Sequence, residues 1–312
     1  MSKPPDLRPV PGLPDELQQA ALDGNLVLFV GAGTSRLVEC PSWEGLADKV
    51  LDQLVQDGKR VPNGIDYYEL SQIKSIPDPK KKLAIARIIA KEKKINLNYK
   101  KIFDIEVKNP NIYSYLNKFN CTFVTTNYDK FLKPESRKKE PEENWRFYRE
   151  EALLRANLDV IGNVTHLHGC IKDDSKMVIT TRDYLSHYAE PAVVEFLKYL
   201  FAKKTILFLG YGLEEIEILE YIYRRSSAAE RESSLHKKRF ILQGFFKAET
   251  ALVEMLKKYY RETFNAELID YPRDEKDYAF IEDILAAWSD KLIFGGIALT
   301  DEAAALEDEI NG

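Results

Sequence analysis

The chain has 312 residues, 45% of them hydrophobic, enough for one large α/β domain or two smaller ones. Its 45 Lys and Arg against 50 Asp and Glu leave a net charge of -5, which argues against a whole-protein basic footprint for nucleic acid. Three cysteines, Cys40, Cys121 and Cys170, lie far apart without a Cys-x-x-Cys pair; this excludes a zinc ribbon and a disulfide framework and fits a reduced cytoplasmic setting.

Residues 1–13 are Pro-rich and lack an apolar h-region, so they read as a flexible arm and not as a signal peptide. No stretch approaches the ~18 apolar residues that a membrane span needs. Residues 14–24 open with Pro and two acids and close at Gly24, which are helix limits. The next stretch, NLVLFVGAGTSR, runs from Asn25 to Arg36. Its apolar run stops at Gly31-Ala32-Gly33-Thr34-Ser35, the pattern of a buried parallel strand feeding a tight glycine turn. Glycines permit unusual φ/ψ and close approach of a ligand, and amides at such a turn attract phosphate. The reading is a dinucleotide site, with a plain strand-to-helix connection as the alternative. A dehydrogenase fingerprint needs a third glycine where Arg36 stands, and an acid about 20 residues on. A triphosphatase loop is also absent, because Gly58-Lys59 is followed by Arg60 and no glycine stands five positions before Gly58.

Residues 43–56 place Trp43, Leu46, Val50, Leu51, Leu54 and Val55 at helical spacing. From about 57 to 120 the chain shows helix-like pieces (66–73, 79–91, 112–119) and no strand, so this region reads as a helical insertion between the first and second strands. Between Lys80 and Lys101 stand nine basic residues and one acid, Glu92. With Tyr99 as the single aromatic there, the patch reads as the solvated face of a helix whose apolar side is Leu83, Ile85, Ile88 and Ile89; direct nucleic-acid binding is the weaker reading. Strand signals resume at 121–126, followed by Asn127-Tyr128-Asp129. A charged loop spans 133–144, short strands are expected at 158–161, 164–167 and 177–180, and a helix over 184–200 is broken near Pro191. Strand 205–209 ends in Gly210-Tyr211-Gly212, and helix 213–225, strand 239–243, helix 249–263, strand 267–270 and helix 274–288 follow. This alternation predicts an α/β fold with a doubly wound, parallel, Rossmann-like sheet over 14–292, and a peripheral acidic tail over 293–312.

Unusual residues thus stand at four strand ends: 31–35, 127–129, His168-Gly169 and 210–212. Ligands of open α/β sheets bind at the carboxyl ends of strands. Here the chain resembles the sirtuin superfamily. GAGTS matches its GAG-[IT]-S turn, TTNYD its T-x-N-x-D, HLHG the segment with its catalytic histidine, and LGYG a glycine-rich strand end. Two features of sirtuin deacylases are missing. LVECPSW at 37–43 replaces their Asp-Phe-Arg segment, and their four-cysteine zinc module is absent. The helical insertion and the TTNYD spelling look more like the zinc-free, sirtuin-like proteins of prokaryotic antiphage defence.

That resemblance implies an NAD+ glycohydrolase that depletes NAD+ by abortive infection, with NAD+ as substrate and no zinc. A non-catalytic NAD-sensing or scaffold module is the alternative, and a deacylase a third. Cleaving the nicotinamide–ribose bond needs a held pyrophosphate, a fixed ribose, excluded water and one placed nucleophile. Asn127, Asp129 and His168 are the catalytic candidates: Asn127 orients a water or ribose hydroxyl, Asp129 anchors the network, and His168 acts as general base. Gly31, Ala32, Gly33, Thr34, Ser35, Thr126, Gly169, Gly210, Tyr211 and Gly212 are the binding candidates. His166 shares a strand face with His168 but sits deeper, as a core or supporting residue. Asn127 and Asp129 as mere helix caps are the bland reading. Arg182, Asp183 and Tyr184 either rim the pocket or cap a helix; Glu214 and Glu215 start a helix after Gly212, where acids suit the helix dipole, and a ribose contact is their second reading. The resemblance also implies a homo-oligomer and a partner protein, either a hexameric DNA-translocating ATPase or an Argonaute-like protein.

Overall fold

Strand β1 (Leu26–Val30) is apolar at every position, and every position is buried, because it lies inside a sheet covered on both faces. The computed structural model describes residues 10–55, 63–103, 105–148, 153–213, 215–216 and 239–293. Within them the sheet has seven strands: β1, β2 (Thr122–Thr125), β3 (Arg146–Phe147), β4 (Val164–His166), β5 (Thr205–Leu209), β6 (Arg239–Phe245) and β7 (Ala266–Pro272). The spatial order is β3-β4-β2-β1-β5-β6-β7, and every pairing is parallel. The α/β, doubly wound, Rossmann-like reading therefore holds.

The two-residue period of a strand divides the core. Leu26, Leu28 and Val30 enter one apolar cluster with Leu17, Leu116, Ile284 and Trp288, which belong to α1 (Asp15–Leu22), α7 (Ile112–Leu116) and a C-terminal helix. Val27 and Phe29 enter the other with Phe196, Phe201 and Tyr260, from α9 (Pro191–Lys203) and α10 (Thr250–Phe264). The C-terminal helix is α11 (Phe280–Ile293). Each fully buried Leu or Phe contributes about 1.5–3 kcal/mol, so this two-sided burial dominates the fold's stability.

Register makes the strand ends level. Val30 pairs with Thr125 on one side and Leu209 on the other, and Thr125 pairs with His166. The segments following β1, β2, β4 and β5 therefore emerge at one edge.

Between β1 and β2 the chain forms α2 (Ala32–Arg36), α3 (Trp43–Asp52), α4 (Tyr67–Lys74), α5 (Pro79–Lys93), α6 (Tyr99–Ile102) and α7, the last four within the segment expected as a helical insertion, about 57–120. Asp78 caps α5 by accepting from the Lys80 and Lys81 amides, and Pro79 fills its first turn. A third apolar cluster joins Leu46 and Val50 of α3 and Leu83, Ala86 and Tyr99 of the insertion to Tyr128 after β2 and Ile171 and Ile179 after β4. The insertion is thereby packed over the carboxyl edge of the sheet.

Several sequence expectations need correction. Residues 158–161 are not a strand; a 3-10 turn spans Arg155–Asp159, and Leu158 is buried under the sheet edge. The edge strand is β3, whose two residues are too short to show a period-two pattern. Residues 177–180 stay outside the sheet, and Thr180 caps α8 (Thr181–His187) in a capping box with Asp183. The last helix begins at Phe280, after a 3-10 turn over Asp277–Ala279. Of the arm expected over 1–13, residues 10–13 are docked: Leu13 is buried and Trp288 Nε1 donates to Pro11 O at 2.8 Å. The apolar side of α5 is Leu83, Ala86 and Ala90, while Ile88 is exposed. Most of the helix expected over 213–225 and the tail from 294 lie outside the described residues.

Candidate active site

The glycine turn after β1 is built for close packing of two loops. Gly31 has φ −101°, which any residue adopts, but a Cβ there would meet the Tyr211 ring at 2.4 Å and Gly210 O at 2.6 Å. A Cβ on Gly33 would meet Gly210 Cα at 2.8 Å. Gly210 itself has φ +66°, the left-handed region that favours glycine. The Gly31 N–H donates to Leu209 O at 2.7 Å and the Gly33 N–H to Gly210 O at 2.8 Å. These two amides are taken by the last residue of β5 and the glycine after it, so neither is free for the phosphate-cradling role expected of it.

Asn127 is buried at the end of β2 and tied on three sides. Its backbone N–H donates to Thr125 Oγ1 at 3.0 Å, and its Nδ2 donates to Gly31 O at 2.9 Å and Thr34 Oγ1 at 3.3 Å. With both amide hydrogens engaged, Oδ1 is the acceptor it offers to the cavity it lines. His166 Nδ1 lies 2.9 Å from Asn127 O. The other nitrogen, Nε2, lies 2.6 Å from Arg146 Nη1. Arginine can only donate, so Nε2 accepts and Nδ1 carries the proton toward the Asn127 carbonyl. Burial first, then the Arg146 charge, push the His166 pKa down to about 3, so the ring is neutral. Arg146 is itself buried, and it donates to Leu132 O at 2.6 Å and pairs with Glu142. His166 thus supports Asn127 from behind.

Asp129 is buried and accepts from Ser35 Oγ at 2.6 Å and from the Phe131 N–H at 3.0 Å. Tyr113 OH sits 3.0 Å from Ser35 Oγ, so a polar chain links α7, the glycine turn and the β2 loop. Burial raises the Asp129 carboxyl above its ordinary 3.8, while the Ser35 and Phe131 hydrogen bonds pull it back. These contacts tie Asp129 to the glycine turn and to the segment after β2.

His168 follows β4. Its Nε2 lies 2.7 Å from Tyr188 OH, and its Nδ1 lies 3.4 Å from Tyr184 OH. The Tyr184 ring packs edge-on at 4.8 Å between centroids. Burial, followed by the charges of His187 and Lys80, holds the imidazole well below its ordinary 6.5. A neutral ring at pH 7 is the form that accepts a proton.

These groups meet in one cavity of about 790 Å³, part of it open to solvent. Of the expected residues, Ala32, Ser35, Thr126, Asn127, Asp129, His168 and Tyr211 line it. Thr126 Oγ1 and Tyr211 OH are joined at 2.5 Å. Gly31, Gly33, Thr34, Gly210 and Gly212 are not in its wall. Gly169, with φ +82°, lines a second cavity with His166, Arg182 and His187.

The aromatic wall was largely missed by sequence reasoning: Trp43, Phe103, Tyr128 and Tyr188 line the cavity beside Tyr184. Each reads in sequence as ordinary core, so only the packing of the insertion reveals it. Tyr184 takes the rim role left open for it, whereas Asp183 caps α8 and pairs with Arg87 at 2.5 Å. Glu215 also lines the cavity. The basic patch does not behave as one solvated face. Lys80 lines the cavity, and Lys82 is buried in a pair with Glu44 and Asp48. Cys40 lines the cavity too, but burial, with Asp129 adding to it, pushes its thiol up to about 12 and keeps it from acting as a thiolate. Among the described residues no group of three or more His, Cys, Asp and Glu is placed to hold a metal.

Comparison with known proteins agrees with this arrangement. Residues 121–269, from β2 to β7, match the family model of the SIR2-like domain. The chain is 25% identical over 283 residues to defense-associated sirtuin 2 of Bacillus subtilis, covering 86% of this chain and 25% of that protein. It is 26% identical over 205 residues to NAD(+) hydrolase ThsA of Enterococcus faecium, covering 63% of this chain and 39% of that one. The chain therefore spans only a quarter to two fifths of the length of these relatives. The matched segment resembles the SIR2-like domain, and the parallel sheet with its level strand ends is consistent with that likeness.

Proposed function

We propose that the chain cleaves NAD+ at the nicotinamide–ribose bond, releasing nicotinamide and ADP-ribose, as the NAD-depleting effector of an antiphage defence system. The observation that carries this reading is the convergence of Asn127 and neutral His168 on one aromatic-walled cavity at the carboxyl edge of the sheet. The names of the two relatives, one a defence-associated sirtuin and the other an NAD(+) hydrolase, support it.

The chemistry follows from the residues. Nicotinamide leaves from a cationic pyridinium, so it takes the bonding pair and needs no proton. The ribose gains oxocarbenium character, and the aromatic wall excludes bulk water from it. Asn127 Oδ1 accepts a hydrogen bond from the attacking water, or from a ribose hydroxyl if the product is cyclic. His168 takes the proton that the attacking oxygen releases. With water as nucleophile the balance is NAD+ plus water to nicotinamide, ADP-ribose and one proton. Asp129 reaches this chemistry through Ser35 and holds the turn in place.

The test is nicotinamide release from NAD+ by the wild-type chain and by Asn127→Ala and His168→Ala. Release by the wild type and its loss in both variants is the expected result. Retained release in both variants sinks the residue assignment, and tight NAD+ binding without cleavage in any activated assembly favours a sensing module instead. Such an enzyme endangers its host, so the resting chain is expected to be idle, and release is measured on the chain assembled with its activating partner. Homo-oligomerisation and activation by a partner protein, a hexameric DNA-translocating ATPase or an Argonaute-like protein, belong to the same proposal. Mass photometry giving only monomer, alone and with the neighbouring gene product, counts against both.

A further inference from the structure

A dinucleotide brings two phosphates into the cavity, and their charge needs a donor or a cation. Several donors of the glycine turn are occupied. The Gly31 and Gly33 amides donate to Leu209 O and Gly210 O, and Ser35 Oγ donates to Asp129. The charged side chains in the wall are Asp129, Glu215 and Lys80, so Lys80 is the cation among the described lining residues. It stands in the first turn of α5, and its Nζ lies 3.9 Å from the Tyr184 ring centroid and 5.8 Å from that of Trp43. Its neighbours on the same helix are committed elsewhere: Lys82 to Glu44 and Asp48, and Arg87 to Asp183. Lys80 makes no ion pair with any described residue, and its ammonium rests on aromatic faces at the cavity wall.

We propose that Lys80 is the phosphate-binding cation of the site, so that the helical insertion supplies positive charge that holds the pyrophosphate. This inference rests on the dinucleotide reading above. It carries a consequence for the chemistry. The Lys80 charge is one of the influences that lower the basicity of His168. A phosphate seated on Lys80 cancels that field, so substrate binding raises the basicity of His168 when a proton acceptor is needed.

The experiment is isothermal titration of the full chain with ADP-ribose and with nicotinamide riboside, which lacks phosphate. Wild type, Lys80→Met, Lys80→Gln and Lys80→Arg are compared, with melting curves to confirm folding. Methionine keeps an apolar stem over Tyr184, and the half-buried position tolerates glutamine. Loss of a charge-assisted contact predicts weakening of ADP-ribose by about tenfold or more in the Met and Gln variants. Nicotinamide riboside should stay within about twofold, and Lys80→Arg within about threefold, of wild type. Unchanged ADP-ribose affinity in the Met and Gln variants overturns the inference and leaves the proposed function standing. Equal weakening of both probes shows a structural role and overturns it as well. A wild-type chain that binds neither probe nor NAD+ removes the proposed function, and this inference with it.

Discussion

Protonation of His166 sets a limit on stability in acid, and the size of the effect can be worked from the site. In the folded chain the ring sits between the Arg146 guanidinium and the Asn127 carbonyl, and its pKa falls from 6.5 to about 3. The unfolded chain binds the proton first as pH falls, so stability is complete above 6.5 and is lost on acidification. Between pH 7 and pH 5 the unfolded state gains about 1.9 kcal/mol from this one group, while the folded state gains almost nothing. His166→Gln removes the titration and keeps a donor for Asn127 O and an acceptor for Arg146. Urea unfolding of both proteins at pH 7 and pH 5 is the assay. Wild type should lose about 2 kcal/mol more than His166→Gln across that interval, the other titrating groups being common to both. Equal losses would refute the buried neutral histidine and the support it gives Asn127.

Three further expectations follow from the same geometry. Gly210→Ala puts a Cβ at φ +66° and 2.6 Å from the Thr34 nitrogen, so a melt should show a loss of about 2 kcal/mol or more; Gly212→Ala, with open space around it, should change stability by less than about 0.5 kcal/mol. Arg146→Met strands Leu132 O and His166 Nε2 in the interior and should cost about 3 kcal/mol in urea unfolding. His168 stays neutral below its ordinary 6.5, so the pH–rate profile for NAD+ cleavage should show no acid limb near that pH; a limb centred there would refute the buried setting of the ring.

Much of the architecture was legible in local pattern. β1 is a five-residue and the end of β5 a four-residue apolar run, each with a glycine after it, and such runs have few alternatives to a buried parallel strand. Asn127 and His168 were visible for the same reason: each interrupts the chain where a strand stops. The misses share a cause as well. β3 has two residues and exists only because β4 offers it an edge. The strand expected over 158–161 had the right residues but no partner.

The sequence by itself determined which strands are buried, where they end and which polar residues stand at those ends, because hydrophobic period and glycine placement act over a few neighbouring residues. Tertiary structure decided what the ends do together. Register brought Gly31, Thr126 and Gly210 level. Loop packing turned the glycine amides away from ligand duty, and the insertion set Lys80 and the aromatic wall over His168. Those outcomes depend on residues tens to hundreds of positions apart in sequence, for which local chemistry carries no signal.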